Sequence, residues 1–231
     1  EVFRSRSVVD ISSCDIGTPG GIWLFRRLAK QVDILNFHYP WPFGDVLELL
    51  GNPGKPYVIT YHSDIVRQRV VESLYAPLRT RFFAGASAIV TTSPAYARTS
   101  EYLSRLGRAV DMIPLSINQE DIPDTPPELS ALWAARLPRP FFFFVGVLRY
   151  YKGLEYLVEA ARLTGIDVVI AGKGPEEERL RYLARDVENV HFVGRVADED
   201  KFALLRLCRG VVFPSHLRAE AFGVALLEGA V

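Results

Sequence analysis

The chain has 231 residues, of which 49% are hydrophobic and 12% aromatic, so packed cores are expected and extensive disorder is excluded. Lysine plus arginine number 27, as do aspartate plus glutamate, which leaves no overall basic field and argues against nucleic acid as a partner. No apolar run approaches the length of a membrane span. The cysteines, Cys14 and Cys208, lie far apart without metal-site spacing, which favours free thiols in a reducing compartment.

Short apolar runs alternate with helical stretches through both halves of the chain. Strands are expected at 32–37, 56–61, 86–91, 109–113, 141–145, 167–171, 190–193 and 211–213. Helices are expected at 22–30, 64–83, 94–106, 154–163, 175–185, 198–209 and from 222 onward. Runs this apolar are typical of strands buried on both faces in parallel sheets, and their alternation with helices indicates βα units.

The region 118–140 separates the two halves. Its prolines stand at positions 123, 126, 127, 138 and 140, a density that favours a linker, although a short amphipathic piece at 128–136 interrupts it. The sequence therefore predicts an α/β protein of two Rossmann-like, doubly wound domains, 1–117 and 141–231, facing each other across a ligand cleft. Because the chain starts without methionine and stops inside an expected helix, we expect a fragment in which both domains are truncated.

Polar side chains follow the expected strand at 56–61. His62 comes directly after it, and Asp64 stands two residues later. A histidine at the carboxyl end of a strand can donate to a sugar hydroxyl or carry a proton, whereas an Asp–His pair can also simply fix a loop. His38, in an aromatic-rich segment after the preceding strand, is a second candidate of the same kind.

The expected helix at 64–83 is basic and rich in apolar and aromatic side chains. It carries Arg67, Arg69, Arg79 and Arg81. Such a segment can rest on an anionic membrane or meet a lipid-linked acceptor. Ordinary core packing with exposed arginines explains it equally well.

Two cations follow the strand at 141–145. Gly146 ends that strand, and Arg149 and Lys152 come next. Glycine permits close backbone approach, and a guanidinium with an ammonium suits a diphosphate. Solvated side chains at a helix start are the alternative, but cations there oppose the helix dipole. This pattern predicts a phosphate site.

Two acids follow the expected strand at 211–213, with seven residues between them. Glu220 is expected in the loop and Glu228 in the next helix. Ligands of an open parallel sheet bind at the carboxyl ends of its strands, and Glu228 in an apolar run needs a polar partner. Carboxylates can bind the hydroxyl groups of a sugar, and cations beside them can bind phosphates. Together they indicate a nucleotide-sugar site.

Two further motifs have competing interpretations. The segment 172–175, which includes Lys173, can hold an anion at a helix start or form a plain strand-to-helix turn, and the sequence favours neither. Asp198 and Asp200 form a D-x-D triplet, which holds a divalent metal in some sugar transferases. Their place at an expected helix start favours capping instead, and we predict no metal.

Taken in order, these motifs resemble the C-terminal domain of a retaining GT-B glycosyltransferase of family 4 (group 1), a group with many bacterial polysaccharide and lipopolysaccharide mannosyl- and rhamnosyltransferases. The matching pieces are Gly146 to Gly153, Gly172 to Pro175, Val193 to Val196, Pro214-Ser215, and Glu220 with Glu228. They extend over nearly all of 141–231. The segment around His62 is similar to the N-terminal domain of the same enzymes.

The resemblance implies a role for each matching residue. Arg149 and Lys152 would bind the donor diphosphate, Glu220 the hydroxyls of the donor sugar, and Glu228 the ribose. His62 would meet the donor sugar and complete the catalytic set. The other donor-site positions are Gly146, Lys173, Arg195, Val196, Phe222, Gly223 and Val224.

The reaction implied by the resemblance is transfer of a sugar from a nucleotide-sugar, with GDP-mannose as the expected donor, to a hydroxyl of a saccharide or lipid-linked saccharide with retention of configuration. The resemblance implies polysaccharide or glycolipid synthesis in the cytoplasm, with peripheral contact at the inner membrane, no cofactor and no nucleic acid. Two alternatives stay open: a phosphorylase or nucleotide-sugar epimerase on the same fold, and a non-catalytic nucleotide-sugar binding module.

Overall fold

A computed structural model describes residues 2–5, 7–11, 14–64, 69–137, 140–217, 219–220 and 222–231, with the backbone alone for 7–11, 14–16 and 69–74. The chain divides into two compact units, Glu1–Pro114 (unit 1) and Leu115–Val231 (unit 2). None of the helices within the described ranges is both long and apolar enough to cross a membrane.

Unit 1 is built on a parallel sheet of four strands in the order β3-β4-β5-β6. A separate antiparallel hairpin, β1–β2, precedes it. The elements of unit 1 are β1 Ser7–Ile11, β2 Cys14–Gly17, α1 Pro19–Ala29, β3 Leu35–Tyr39, α2 Pro42–Gly51, β4 Tyr57–Tyr61, α3 Arg69–Gly85, β5 Ala88–Thr91, α4 Pro94–Thr99, α5 Glu101–Arg105 and β6 Asp111–Met112.

Unit 2 is built on a second parallel sheet of four strands, in the order β10-β7-β8-β9. Short 3₁₀ turns cover Gln119–Asp121 and Tyr150–Lys152. The other elements are α6 Pro127–Arg136, β7 Phe141–Val145, α7 Leu154–Thr164, β8 Asp167–Ala171, α8 Glu177–Leu183, β9 Val190–Gly194, α9 Asp198–Leu207, β10 Gly210–Val211 and α10 Val224–Glu228.

The sheet of unit 2 is covered by helices on both faces. Alternate residues of β7 point to opposite sides: Phe143 packs with Trp133 of α6 and Leu204 of α9, whereas Phe144 packs with Val158 of α7 and Leu180 of α8. This explains why β7 reads as an unbroken apolar run. The predicted class, α/β with parallel sheets, is confirmed.

In unit 1 the core is aromatic and lies against one face of the sheet. Phe37 and Tyr39 of β3 are buried in it with Tyr61 of β4. The alternate residues Asn36 and His38 lie on the other face and are exposed. This alternation places the polar side chains of β3 and β4 together, away from the core.

Several boundaries differ from the predictions. The sequence predicted neither the hairpin β1–β2 nor helix α2, in which Pro42 occupies the first turn, where no amide hydrogen bond is lost. The expected helix at 94–106 is two helices, because Ser100 caps α5 and also donates to Asp64 at 2.6 Å. Edge strands β6 and β10 are shorter than expected.

Two interpretations of whole segments also change. The amphipathic piece expected at 128–136 inside the linker forms α6 and belongs to unit 2, where its Trp133 is buried and donates from Nε1 to Asp200 at 2.7 Å. In the expected basic helix, Arg67 lies outside the described residues. Arg79 is turned toward the aromatic core, with its guanidinium 4.0 Å from the ring centre of Tyr102. Core packing therefore explains Arg79.

Asp45 of α2 is a buried carboxyl within the core of unit 1, only 1% exposed. It accepts a hydrogen bond from Tyr75. Burial raises its pKa to about 7, although the bond from Tyr75 and the charge of Arg79 act in the opposite direction. The hydrogen bond from Tyr75 gives a partner to this buried carboxyl, whose carboxylate form is disfavoured by desolvation.

Candidate active site

The strand order of unit 2 reverses between β7 and β10. From β7 the chain proceeds to β8 and β9 on one side, and then returns to place β10 on the other side. Such a reversal opens a crevice at the carboxyl ends of the two strands, which is where ligands of open α/β sheets bind. The loops that follow β7 and β10 therefore flank the expected ligand position.

Lys152 and Glu220 meet in this crevice. The ammonium of Lys152, after β7, donates to Oε2 of Glu220, after β10. The hydroxyl of Ser215 donates to the same oxygen at 3.0 Å. The lysine and glutamate side chains are 13% and 18% exposed, and the ring centre of Phe213 is 5.1 Å from the ammonium. Burial, and then the charge of Glu220, raises the pKa of Tyr151 beside them.

Oε1 of Glu220 has no hydrogen-bond partner among the described residues. A lysine ammonium has three donors, and one of them is used by Glu220. The pair thus offers an acceptor for a hydroxyl group and further donors for an anion. These are the two chemical functions that a nucleotide-sugar requires at its sugar and its diphosphate.

Gly153 allows the two loops to approach. Its φ is 66°, in the left-handed region that favours glycine. A Cβ at this position would lie 2.3 Å from the carbonyl oxygen of Pro214, in the loop after β10. The absence of a side chain at Gly153 therefore brings the backbone after Lys152 against the loop that leads to Glu220.

The glycines at the carboxyl ends of β7, β8 and β9 pack against one another. A Cβ on Gly172 would lie 1.9 Å from the carbonyl oxygen of Gly146, and the Gly172 amide donates to the carbonyl of Gly194 at 2.7 Å. A Cβ on Gly174 would lie 2.3 Å from the carbonyl oxygen of Leu148. Packing between loops accounts for the glycines at 172 and 174, which supports the strand-to-helix turn.

Glu228 has a lysine of its own. Lys201 of α9 donates to Oε1 of Glu228 at 2.8 Å and lies 2.9 Å from Asp198. The structure thus joins each acid of the motif to a different cation. The sequence did not predict Lys201 as a site residue. The signal that the sequence offers for it is a lysine directly after the three acids of the first helical turn.

The remaining predicted donor-site residues line the same carboxyl edge. Arg149 is half-buried and stands at the N-cap position of the 3₁₀ turn that carries Lys152. Gly223 adopts a left-handed φ of 84° and stacks against the ring of Phe213. Lys173, Arg195 and Val224 are exposed, and Val196 and Phe222 are half-buried. Their roles toward a ligand stay predictions.

In unit 1, His62 lies beside His38. Nε2 of His62 is 2.7 Å from Nδ1 of His38, and the two rings are stacked with centroids 5.0 Å apart. Burial, followed by the charge of His38, lowers the pKa of His62. Asp64 accepts hydrogen bonds from Tyr61 and Ser100. The lowered pKa favours the uncharged ring of His62, which can both donate and accept a hydrogen bond at the carboxyl end of β4.

Within the described part of the chain, no group of three or more potential ligands could hold a metal. The capping interpretation of the D-x-D triplet is wrong, because the N-cap of α9 is Ala197. Asp198 instead pairs with Lys201, and Asp200 accepts from Trp133. The absence of a metal requirement stays a prediction.

Comparison with known families assigns the two halves separately. Residues 13–120 match the family described as Glycosyltransferase Family 4. Residues 128–230 match the family described as Glycosyl transferases group 1. Together the two matches extend over nearly the whole chain, and the second contains both lysine–glutamate pairs.

Two relatives are similar in sequence. The chain is 47% identical over 209 residues to the D-rhamnosyltransferase WbpZ of Pseudomonas aeruginosa. The aligned region covers 90% of this chain and 55% of that protein. It is 46% identical over 208 residues to the O-antigen chain mannosyltransferase C of Escherichia coli, with 89% and 56% covered. The chain thus spans about half the length of these relatives.

Solved structures share the fold. Sucrose-phosphate synthase of Thermosynechococcus elongatus superimposes with a TM-score of 0.70 at 19% identity, covering 97% of this chain and 62% of that one. Anabaena Alr3699/HepE in complex with UDP-glucose also superimposes with a TM-score of 0.70, at 17% identity, covering 92% of this chain and 62% of that one. At these identities the likeness establishes the fold alone.

Proposed function

The chain belongs to the group 1, family 4 glycosyltransferases, and from that premise we propose that the protein transfers a sugar from a nucleotide-sugar to a hydroxyl acceptor in the synthesis of a cell-surface polysaccharide. The observation that carries the proposal is the hydrogen-bonded Lys152–Glu220 pair at the strand-order reversal of unit 2. The names of the two relatives, a rhamnosyl- and an O-antigen chain mannosyltransferase, support the class of product.

In the proposed reaction, the bond between the anomeric carbon and the diphosphate oxygen breaks while the acceptor oxygen bonds to that carbon. The acceptor proton passes to the departing phosphate. Negative charge grows on the diphosphate, and Lys152 with Arg149 stabilises it more in the transition state than in the ground state. Oε1 of Glu220 accepts hydrogen bonds from the sugar hydroxyls. His62 is proposed as a further donor-sugar contact.

Retention of configuration is part of this proposal. Oε2 of Glu220 is already held by Lys152 and by Ser215, which makes the carboxylate a poorer nucleophile and a better-fixed acceptor. We therefore favour attack from the face that the diphosphate leaves over a covalent glycosyl-enzyme intermediate. The proposed donor is GDP-mannose or a related GDP-sugar. UDP is the alternative, since a fold neighbour was solved with UDP-glucose.

A donor screen tests the function. GDP-mannose is expected to raise the melting temperature of the protein, because a ligand at 100 times its Kd stabilises by about 2.7 kcal/mol; UDP-glucose and UDP serve as comparisons. We expect the donor to be consumed only when an acceptor is present. NMR of the product is expected to show the same anomeric configuration as in the donor.

Other outcomes of the screen would contradict the proposal. Use of a sugar 1-phosphate would indicate a phosphorylase, and product formed without an acceptor would indicate an epimerase. A donor that binds and is never consumed would indicate a binding module. If no nucleotide-sugar shifts the melting temperature, the donor site itself is wrongly assigned.

We further propose that unit 1 contacts an anionic membrane through α1, where a lipid-linked acceptor would reside. Trp23, Arg26, Arg27 and Lys30 are spaced as i, i+3, i+4 and i+7, which places them on one face of the helix. All four side chains are exposed, and the Arg27 guanidinium lies 5.3 Å from the Trp23 ring centre. A tryptophan among cations is typical of helices at lipid headgroups.

The triple variant Arg26→Gln, Arg27→Gln, Lys30→Gln is expected to bind phosphatidylglycerol vesicles about a hundredfold more weakly, because each cation near an anionic surface contributes about 1 kcal/mol. Co-sedimentation with vesicles measures this. The matched control, Arg4→Gln, Arg98→Gln, Arg105→Gln, removes three other exposed cations of unit 1. Equal weakening by both triples would show a general charge effect and refute a role for α1.

A further inference from the structure

Unit 2 contains a second half-buried lysine–glutamate pair besides Lys152–Glu220. Lys201, the fourth residue of α9, donates from Nζ to Oε1 of Glu228, the last residue of α10, at 2.8 Å. The two side chains are 15% and 19% exposed. They stand 27 residues apart in sequence, so only the fold brings them together.

The two pairs repeat one arrangement. In each, a lysine from a neighbouring element binds one carboxylate oxygen, which is Oε2 of Glu220 and Oε1 of Glu228. In each, the other oxygen has no hydrogen-bond partner among the described residues. A carboxylate oriented in this way presents a fixed acceptor to a hydroxyl group. Lys201 therefore orients the carboxylate of Glu228 as Lys152 orients that of Glu220, although Lys201 is not among the motif residues named for the family.

Two acids pair with Lys201, and only one of them is shielded from solvent. Lys201 follows the three acids of the first turn of α9, near the positive end of the helix dipole. Burial lowers the pKa of Lys201, but hydrogen bonds to Glu228 and Asp198 outweigh it and the pKa lies above its ordinary value. Asp198 is 77% exposed, so its contribution is screened by water. Glu228 is the partner shielded from solvent.

We propose that Lys201 is a positioning residue of the donor site, which holds Glu228 so that its Oε2 accepts hydrogen bonds from the ribose hydroxyls of the donor nucleotide. This inference rests on the proposed function, because the ribose contact of Glu228 belongs to it. Lys201 would not touch the nucleotide. It would act through the orientation and charge of one carboxylate.

A merely structural role makes a different prediction. The same ion pair links α9 to α10, and losing it leaves Glu228 largely buried without a counter-charge. A structural defect would weaken binding of every nucleotide by the same factor. A positioning defect weakens only that part of the affinity that comes from the ribose hydroxyls. A thermodynamic cycle between the residue and those hydroxyls separates the two.

The test measures Kd by calorimetry for GDP and 2′,3′-dideoxy-GDP, with UDP and 2′,3′-dideoxy-UDP in parallel. In the wild-type protein, loss of the ribose hydroxyls is expected to weaken binding about tenfold or more, since hydrogen bonds to a charged group are strong. In Lys201→Met, affinity for the intact nucleotide falls and this ratio shrinks to less than about twofold. Lys201→Arg keeps a cation at this position. Its ratio of dideoxy-nucleotide Kd to intact-nucleotide Kd is expected to lie between those of Lys201→Met and the wild-type protein.

Matched variants on the same helix serve as controls. Arg206→Gln removes an exposed cation of α9, and Asp198→Asn removes the exposed partner of Lys201; both are expected to keep the wild-type ratio. A wild-type ratio near one, or a ratio that Lys201→Met leaves unchanged, overturns the inference alone. Failure of the wild-type protein to bind any of the nucleotides overturns the proposed function with it.

Discussion

The Glu220→Ala variant is expected to lose sugar transfer by about a thousandfold or more in kcat/KM while it keeps its fold, which is the scale seen when a fixed hydrogen-bonding group of an active site is removed. The substitution removes the acceptor for the sugar hydroxyls. It also leaves the ammonium of Lys152, 13% exposed, without its carboxylate. Lys152→Ala is expected to have a similar effect, because it removes the charge that stabilises the departing diphosphate.

Steady-state transfer kinetics measure this loss, and circular dichroism with thermal melting checks the fold. Glu178→Ala is the control, since Glu178 is an exposed acid of the same unit, in the first turn of α8. It is expected to leave kcat/KM unchanged. Turnover near the wild-type level in both Glu220→Ala and Lys152→Ala would remove the basis of the proposed function.

Gly153→Ala is expected to destabilise unit 2 by about 3 kcal/mol or more and to separate the loops that carry Lys152 and Glu220. The left-handed backbone alone costs an alanine about 1 kcal/mol. The new methyl group would also stand 2.3 Å from the carbonyl oxygen of Pro214. Backbone atoms cannot move aside by a rotamer change, so one of the two loops must shift.

Native-state hydrogen exchange of the β7 and β8 amides measures the stability of unit 2 by itself, and transfer kinetics report the loss of the Lys152–Glu220 contact. Gly165→Ala is the matched control. Gly165 has a φ of 67°, and a Cβ there would meet no atom within 4 Å, so this variant carries the backbone cost without the clash. Equal destabilisation by the two variants would show that the approach to Pro214 is not required.

The strands buried on both faces were predicted most accurately from the sequence. For β7 and β8 the predicted and observed boundaries agree, Phe141–Val145 and Asp167–Ala171. Burial on both faces requires an unbroken apolar run, which ends where the chain meets solvent. Edge strands such as β10 have fewer neighbours, so their apolar pattern does not define their ends.

Helix boundaries were less predictable, because they depend on side chains distant in sequence. Ser100 divides the expected helix at 94–106 by capping α5 while it also binds Asp64, which follows β4. Helix α6 was expected only as a short amphipathic piece inside a linker, on account of its flanking prolines. It belongs to unit 2 because Trp133 finds a core and a hydrogen-bond partner there.

The sequence by itself determined the kind of site, since cations and acids follow apolar strands and the carboxyl ends of parallel strands share one edge. Only the tertiary structure decided which of them meet. Lys152 and Glu220 are 68 residues apart, and they touch because the strand order puts β10 beside β7. Lys201 joins Glu228 for the same reason: side-chain pairing depends on how elements pack, and local patterns do not encode that packing.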